Sequence, residues 1–110
     1  MTDEPEAAHQ RLARLSSSAR RLLDYVAVLE GGARYALLRH LARVPEPDII
    51  EDLREAVDAG ILAALPGQPE TYDFADGAVR ALVLAEAGAD RLPKLRARAE
   101  AARQRSEDRD

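Results

Sequence analysis

The stretch 58-DAGILAALPGQPETYDFADGAVRALV-83 interrupts a chain that is otherwise rich in helix-forming residues. It contains two short apolar runs, at residues 61–65 and 71–74, which are separated by a tip of Pro, Gly and polar residues. The first run lies between a glycine and a proline and is too short for a helix, whereas the second is rich in residues that favour strands. The pattern therefore predicts an antiparallel two-stranded hairpin, with Tyr72 and Phe74 on one face and Phe74 buried.

Three amphipathic helices are predicted before this hairpin, after a helix-forming segment at residues 7–15. The first follows a serine cluster at 16–18 that can cap its amino end, and the glycines at 31 and 32 end it. The second, at residues 33–44, has an inner face formed by Leu37, Leu38 and Leu41. The third, at residues 47–60, has a predicted buried stripe formed by Ile50, Leu53 and Val57, with Ile49 and Ala56 beside it.

Two further helices are predicted after the hairpin. Asp76 can cap the first of them, which ends at Gly88. Its predicted buried residues are Val79, Leu82 and Val83. The second spans residues 90–103, and its apolar residues at helical spacing are Leu92, Leu95, Ala99 and Ala102.

Three helices followed by a hairpin are the winged-helix arrangement, in which the hairpin covers the side of the core that a small three-helix unit leaves open. The expected fold class is therefore mostly α with one small β-hairpin: a winged helix-turn-helix domain with a C-terminal helical extension. The expected organisation is a flexible N-terminal segment at residues 1–10, the winged-helix domain at 11–88, a C-terminal helix at 89–103 and a charged tail at 104–110.

Composition narrows the class of protein. The 110 residues fit one domain, and a hydrophobic fraction of 46% is enough for one core. The net charge of -4 disfavours a domain that grips nucleic acid mainly through its phosphates. Because the chain has no cysteine, no apolar run of membrane-spanning length and an acidic start unlike a signal peptide, we expect a cytoplasmic protein that does not bind membranes.

Four groups of packing residues carry a resemblance to a known family. An Arg-Leu plus Leu segment and the end of an Ala-rich helix supply Arg11, Leu12 and Leu15, then Val28, Leu29 and Gly31. A helix-to-strand junction and the segment after the hairpin supply Leu53, Ala56, Gly60 and Leu62, then Phe74, Val79, Arg80 and Leu84. Over residues 11–102 the chain resembles the winged-helix region that follows the ATPase module in STAND-type signalling ATPases, including the large LuxR-type and SARP-type bacterial transcription regulators.

The resemblance implies a regulatory domain, either excised from such an ATPase or a stand-alone copy that lost the motor. Two positions depart from the family's pattern: Glu30 precedes the glycine, and Ala75 and Asp76 stand where the family usually has a His–Asp pair. That histidine is often linked in the family with the nucleotide-bound state, so its absence argues against nucleotide sensing. The chain also lacks a GxxxxGK(S/T) loop, so we expect no cofactor and no ATP binding of the P-loop kind.

No catalytic or metal site is expected, and we predict a protein that is not an enzyme. His9 and His40 are interpreted as ordinary surface or interface residues, and the serines at 16–18 have no partner base. The third helix carries five carboxylates on its expected outward face, where they diverge instead of converging on a cation as hard metal ions require. They are Asp48, Glu51, Asp52, Glu55 and Asp58.

These five carboxylates are the predicted partner-binding residues, suited to a protein with a basic surface. A third helix that enters the DNA major groove carries Arg, Lys, Asn or Gln, and here it offers Arg54 alone. A separate basic surface, for an acidic protein or a nucleic-acid backbone, is predicted at Arg34, Arg39, Arg43, Arg91, Lys94 and Arg98.

The predicted function is a non-enzymatic regulatory or protein–protein interaction module in bacterial signalling or transcription control. Two alternatives remain open. One is a DNA-binding winged-helix transcription regulator, which the acidic third helix disfavours. The other is a regulatory subunit that docks on a separate STAND ATPase.

Overall fold

The chain forms a mostly helical domain with a small antiparallel sheet in a computed structural model, which describes residues 4–29, 31–42 and 45–108. The helices are α1 (Glu4–Ala13), α2 (Ser17–Val28), α3 (Tyr35–Ala42), α4 (Glu46–Asp58) and α5 (Gly77–Asp108). The strands are β1 (Ala33–Arg34), β2 (Leu62–Ala64) and β3 (Thr71–Phe74). The predicted order of three helices, a hairpin and further helices is confirmed, with one strand more than expected.

Helix α2 is the centre of the core. Its amino end is capped as the sequence predicts, because the Ser16 side chain accepts a hydrogen bond from the Ala19 amide at 3.1 Å. One face of α2 is fully buried and packs against α3, α4 and α5; it includes Leu22, Leu23, Val26 and Ala27. The predicted inner face of α3 is also confirmed, since Leu37, Leu38 and Leu41 are all buried.

The hairpin pairs in the predicted antiparallel sense, with Leu62 opposite Phe74 and Ala64 opposite Tyr72. The sheet order is β1-β3-β2, because the two-residue strand β1 pairs with the free edge of β3. Tyr72 and Phe74 pack against the core as expected, but both remain partly exposed. The expectation that Phe74 is buried is therefore corrected to a half-buried residue.

The buried face of α4 differs from the predicted stripe. Ile49, Leu53 and Ala56 are buried, whereas Ile50 and Val57 are 46% and 38% exposed. The helix is thus turned by about one residue step from the expected orientation. This turn places two large apolar side chains on the surface.

Helix α5 has two segments, because Gly88 lies at φ 74 and ψ 174. A positive φ is a conformation that glycine adopts without steric cost, so the predicted helix end at this position is confirmed. Asp76 caps the first segment by accepting from the Ala78 amide at 2.9 Å. The second segment buries Leu95, Ala99 and Ala102, the spacing that the sequence predicts.

A buried carboxylate ties α2 to both segments of α5. Asp24 accepts from Arg20 at 3.0 Å and from Arg91, and Arg20 also donates to Glu86 at 2.5 Å. Because Asp24 is almost fully buried, these two guanidinium groups replace the water it loses on folding. The network holds the second segment of α5 against α2.

Residues 4–10 and 104–108 are helical, which differs from the flexible segment and the charged tail that the sequence predicts. Residues 4–10, assigned to a flexible segment, belong to α1, where Ala8 and Leu12 are buried in the core. Residues 104–108, assigned to a charged tail, continue α5. Helix α1 packs against α5, and this tertiary contact stabilises it. Local sequence does not predict such a contact.

Candidate functional site

A groove lies between α4, the start of α3 and strand β3 with the residue that precedes it. Its volume is about 470 Å³. It is lined by Tyr35, Glu46, Ile50, Leu53, Arg54, Val57, Glu70 and Tyr72. We call this feature the α4 groove.

The apolar part of the α4 groove comes from α4 and from the sheet. Ile50 and Val57 are the large hydrophobic side chains that remain exposed in the described part of the chain. They lie seven residues apart, which is about 10.5 Å along a helix. Leu53 lies between them, and Tyr72 supplies the opposite wall. Ile50 and Val57 are therefore available to contact another molecule on this side of α4.

Tyr35, the first residue of α3, brings a polar group into the wall of the groove. Its hydroxyl oxygen is buried. The Glu46 carboxylate lies close enough to influence the ionisation of this hydroxyl. Burial and this neighbouring carboxylate raise the pKa of Tyr35 above its usual value.

The rim of the groove is mainly acidic. Glu46 and Glu70 are both exposed, and Glu46 lies 4.0 Å from Arg39, at the outer limit of an ion pair. Arg54 is also exposed, and it forms no ion pair with any residue that the structure describes. In addition to the residues of the rim, α4 carries three exposed carboxylates: Asp48, Glu51 and Asp58.

Two of the five predicted partner-binding carboxylates face inward, which corrects the expectation that all five lie on the outward face of α4. Asp52 is buried, and it accepts a hydrogen bond from the Ser18 hydroxyl at 2.5 Å. Glu55 accepts from the Ser16 amide at 2.6 Å and from the Ser16 hydroxyl at 3.0 Å. Both residues therefore form hydrogen bonds with the amino end of α2.

The surroundings of Asp52 disfavour the ionised form of its carboxyl group. Burial raises the pKa of Asp52, the Ser18 hydroxyl lowers it, and the neighbouring carboxylates raise it further, so the pKa lies above its usual value. The neighbouring carboxylates belong to Glu55, Asp48 and Glu51. Ionisation of Asp52 thus opposes folding.

Asp52→Asn is expected to raise the melting temperature at pH 7 by about 2 °C. The wild-type carboxyl contributes full stability below the ordinary aspartate pKa and loses it as the pH rises through the higher native pKa. The asparagine oxygen still accepts from Ser18, so the variant keeps the hydrogen bond without this loss. Thermal melts across the acidic range measure both effects. The control is Asp58→Asn on the exposed side of α4, and a lower melting temperature for Asp52→Asn at pH 7 would contradict the prediction.

The five predicted basic residues that the structure describes lie on three elements, and Arg91, Lys94 and Arg98 line one groove. Arg34 lies exposed on β1 and Arg39 on α3, whereas Arg91, Lys94 and Arg98 lie on α5. Arg91 binds the buried Asp24, and the Arg98 guanidinium lies 5.8 Å from the centre of the Tyr25 ring. Arg43 lies outside the described residues. With the Arg39–Glu46 pair, three of the six predicted residues therefore have partners within the fold.

Metal ligands, serine hydroxyls and membrane-spanning helices are the other features that bear on function. Among the residues that the structure describes, no group of three or more His, Asp and Glu side chains is arranged to hold a metal ion. The hydroxyls of Ser16 and Ser18 donate to carboxylates of α4. None of the helices in the described ranges combines the length and apolar character needed to cross a membrane.

The α4 groove has no signal in the sequence pattern, which places Ile50 and Val57 in the core and gives Tyr35 and Tyr72 no role in binding. Comparison with protein-family models, with curated proteins and with solved structures gave no match.

Proposed function

We propose that the chain is a non-enzymatic regulatory module that binds another protein through the α4 groove. The observation that carries this proposal is the exposure of Ile50 and Val57 beside Tyr72. Leaving two large apolar side chains in water forgoes about 1–2 kcal/mol each relative to burial. A partner that covers them recovers this free energy on binding.

The order of the elements supports a winged-helix setting for this module. A helix, a short strand, two helices and a hairpin follow one another as α2, β1, α3, α4 and β2–β3. In this setting α4 occupies the place of the third helix, and the tip at residues 66–70 is the wing. We accordingly place the module in bacterial signalling or transcription control, as the family resemblance implies.

The charge of α4 supports a protein partner over DNA. Asp48, Glu51 and Asp58 are exposed on the same helix as the groove and would approach the phosphates of a bound duplex. The apolar pair offers no hydrogen bond to a base edge, whereas it suits the desolvated centre of a protein interface.

Site-specific cross-linking tests the proposal. A photo-reactive benzoylphenylalanine at position 50, expressed in the source organism, is expected to give a protein adduct under light. The same group at Ala81, an exposed position of α5, serves as the control. Adding Val57→Arg is expected to lower the adduct yield at position 50 by about tenfold, since a charge in the apolar centre is poorly tolerated.

A result of the opposite kind would overturn the proposal. Adducts to duplex DNA at position 50, or equal protein adducts at positions 50 and 81, would mean that the groove is not a protein-binding site. Circular dichroism of each variant checks that the fold is intact, which we expect because Val57 is already exposed.

A further inference from the structure

We propose that the occupant of the α4 groove is a basic amphipathic helix of another protein. This inference rests on the proposed function and adds the shape and the charge of the partner. Its first support is the spacing of the apolar side chains. Ile50 and Val57 lie two turns apart on α4 with Leu53 between them, and a partner helix with apolar residues at i, i+3 or i+4, and i+7 matches this length.

The hydrogen bonding of the backbone favours a helix over an added strand. A partner strand needs free amide and carbonyl groups at a sheet edge. The wall of the groove comes from β3, which is the central strand and is paired on both sides. The Glu70 carbonyl next to it already accepts from the Tyr35 amide at 2.8 Å. The groove therefore offers side chains, not an open backbone edge.

The charge around the groove favours a basic partner. Glu46 and Glu70 line it, and the exposed carboxylates of Glu51 and Asp58 lie farther round α4. Arg54 is the opposing charge within the groove, while Arg39 lies 4.0 Å from Glu46. Lysine or arginine residues that flank the apolar face of the partner would meet the carboxylates of Glu46 and Glu70, which outnumber Arg54 in the lining, and this complementarity raises the rate of association at low salt.

A second copy of the described domain does not fit this description. Half of its exposed basic residues lie on α5, whose larger apolar side chains, such as Leu95, are buried or half-buried. Its large exposed apolar side chains, Ile50 and Val57, are those of α4 itself. A two-fold dimer through α4 would bring two acidic rims together, and like charges across an interface oppose binding. The groove thus fits a different chain.

Synthetic peptides test the inference directly. The probe is a peptide of about 18 residues, or five helical turns, with leucines along one face and lysines elsewhere. One matched peptide replaces every lysine by glutamate, and another scrambles the leucine–lysine order. We expect the amphipathic lysine peptide to bind at least about tenfold more tightly than either, by fluorescence anisotropy at low salt.

Variants of the protein locate the binding. Val57→Gln is expected to weaken the lysine peptide by about tenfold, because it makes the apolar centre polar without adding charge. Glu46→Gln with Glu70→Gln is expected to weaken it by about threefold or more, and Arg54→Gln to strengthen it by about twofold. The control is Asp90→Asn with Glu100→Gln, which removes the same charge from exposed positions on α5 and should leave the affinity unchanged.

The outcomes separate this inference from the proposed function. Equal affinity for the lysine, glutamate and scrambled peptides, or equal weakening by the groove and control pairs, would overturn the basic amphipathic helix. If cross-linking at position 50 still captured a protein, the proposed protein-binding function would be retained, with a partner of different chemistry. If neither experiment gave binding at the groove, both the proposed function and the basic amphipathic helix would be rejected.

Discussion

Ile49→Ala is expected to lower the free energy of unfolding by about 2–5 kcal/mol, and Ile50→Ala by less than about 1 kcal/mol. The two side chains are chemically identical and adjacent on α4. Ile49 is fully buried in the core, so its truncation leaves a cavity, whereas Ile50 is 46% exposed and its truncation leaves space that water can fill.

Urea denaturation, followed by circular dichroism under identical conditions, measures the loss of unfolding free energy for each variant. The pair is its own control, since helix propensity changes by the same amount at the two positions. Equal losses, or a larger loss for Ile50→Ala, would mean that α4 is oriented as the sequence pattern predicts. In that case Ile50 would belong to the core and the α4 groove would not exist in solution.

Gly32→Ala is expected to cost about 2–4 kcal/mol of stability, because it combines backbone strain with a clash. Gly32 has a φ of 112, and a Cβ there would lie 2.9 Å from the Thr71 Cγ2 and 2.7 Å from the Leu65 Cδ1. Leu65 can move its side-chain end. Thr71 is held, since it is buried and its hydroxyl donates to the Pro69 carbonyl at 3.1 Å.

Gly31→Ala is the matched control for this prediction. Gly31 also has a positive φ, of 85, but a Cβ there would meet no atom within 4 Å. Backbone strain alone is then expected to cost about 1–2 kcal/mol. Chemical denaturation gives both values, and a Gly32→Ala loss no larger than that of Gly31→Ala would show that β3 does not pack closely against residue 32. A displacement of Thr71 by this clash would also shift Tyr72, the next residue of β3, which lines the α4 groove.

The elements bounded by strong local signals could be predicted from the sequence. The hairpin follows from the glycine and proline that enclose residues 61–65, and its antiparallel pairing joins residues 62–64 to residues 72–74. Strand β1 could not be found in this way. It is two residues long and has no alternation, and it is a strand because β3 offers an unpaired edge to it.

The orientation of α4 could not be predicted, because two stripes satisfy the helical period equally well. One consists of Ile50, Leu53 and Val57; the other consists of Ile49, Leu53 and Ala56, and both are spaced as a buried face should be. The charged residues do not distinguish the two stripes either, since a carboxylate can lie in water or at the end of another helix. The α4 groove exists only when the stripe with Ile49 is buried, because Ile50 and Val57 are then exposed.

The positions of most helices and of the hairpin can be read from local sequence, since capping residues, glycines and hydrophobic period act over a few positions. The buried face of α4 depends instead on tertiary contacts. Ser16 and Ser18 bind Glu55 and Asp52, which lie 39 and 34 positions away along the chain. These hydrogen bonds accompany the turn of α4 that buries Ile49 and leaves Ile50 and Val57 in water. Such contacts leave no periodic signal in the sequence, because each joins a single pair of distant residues through space.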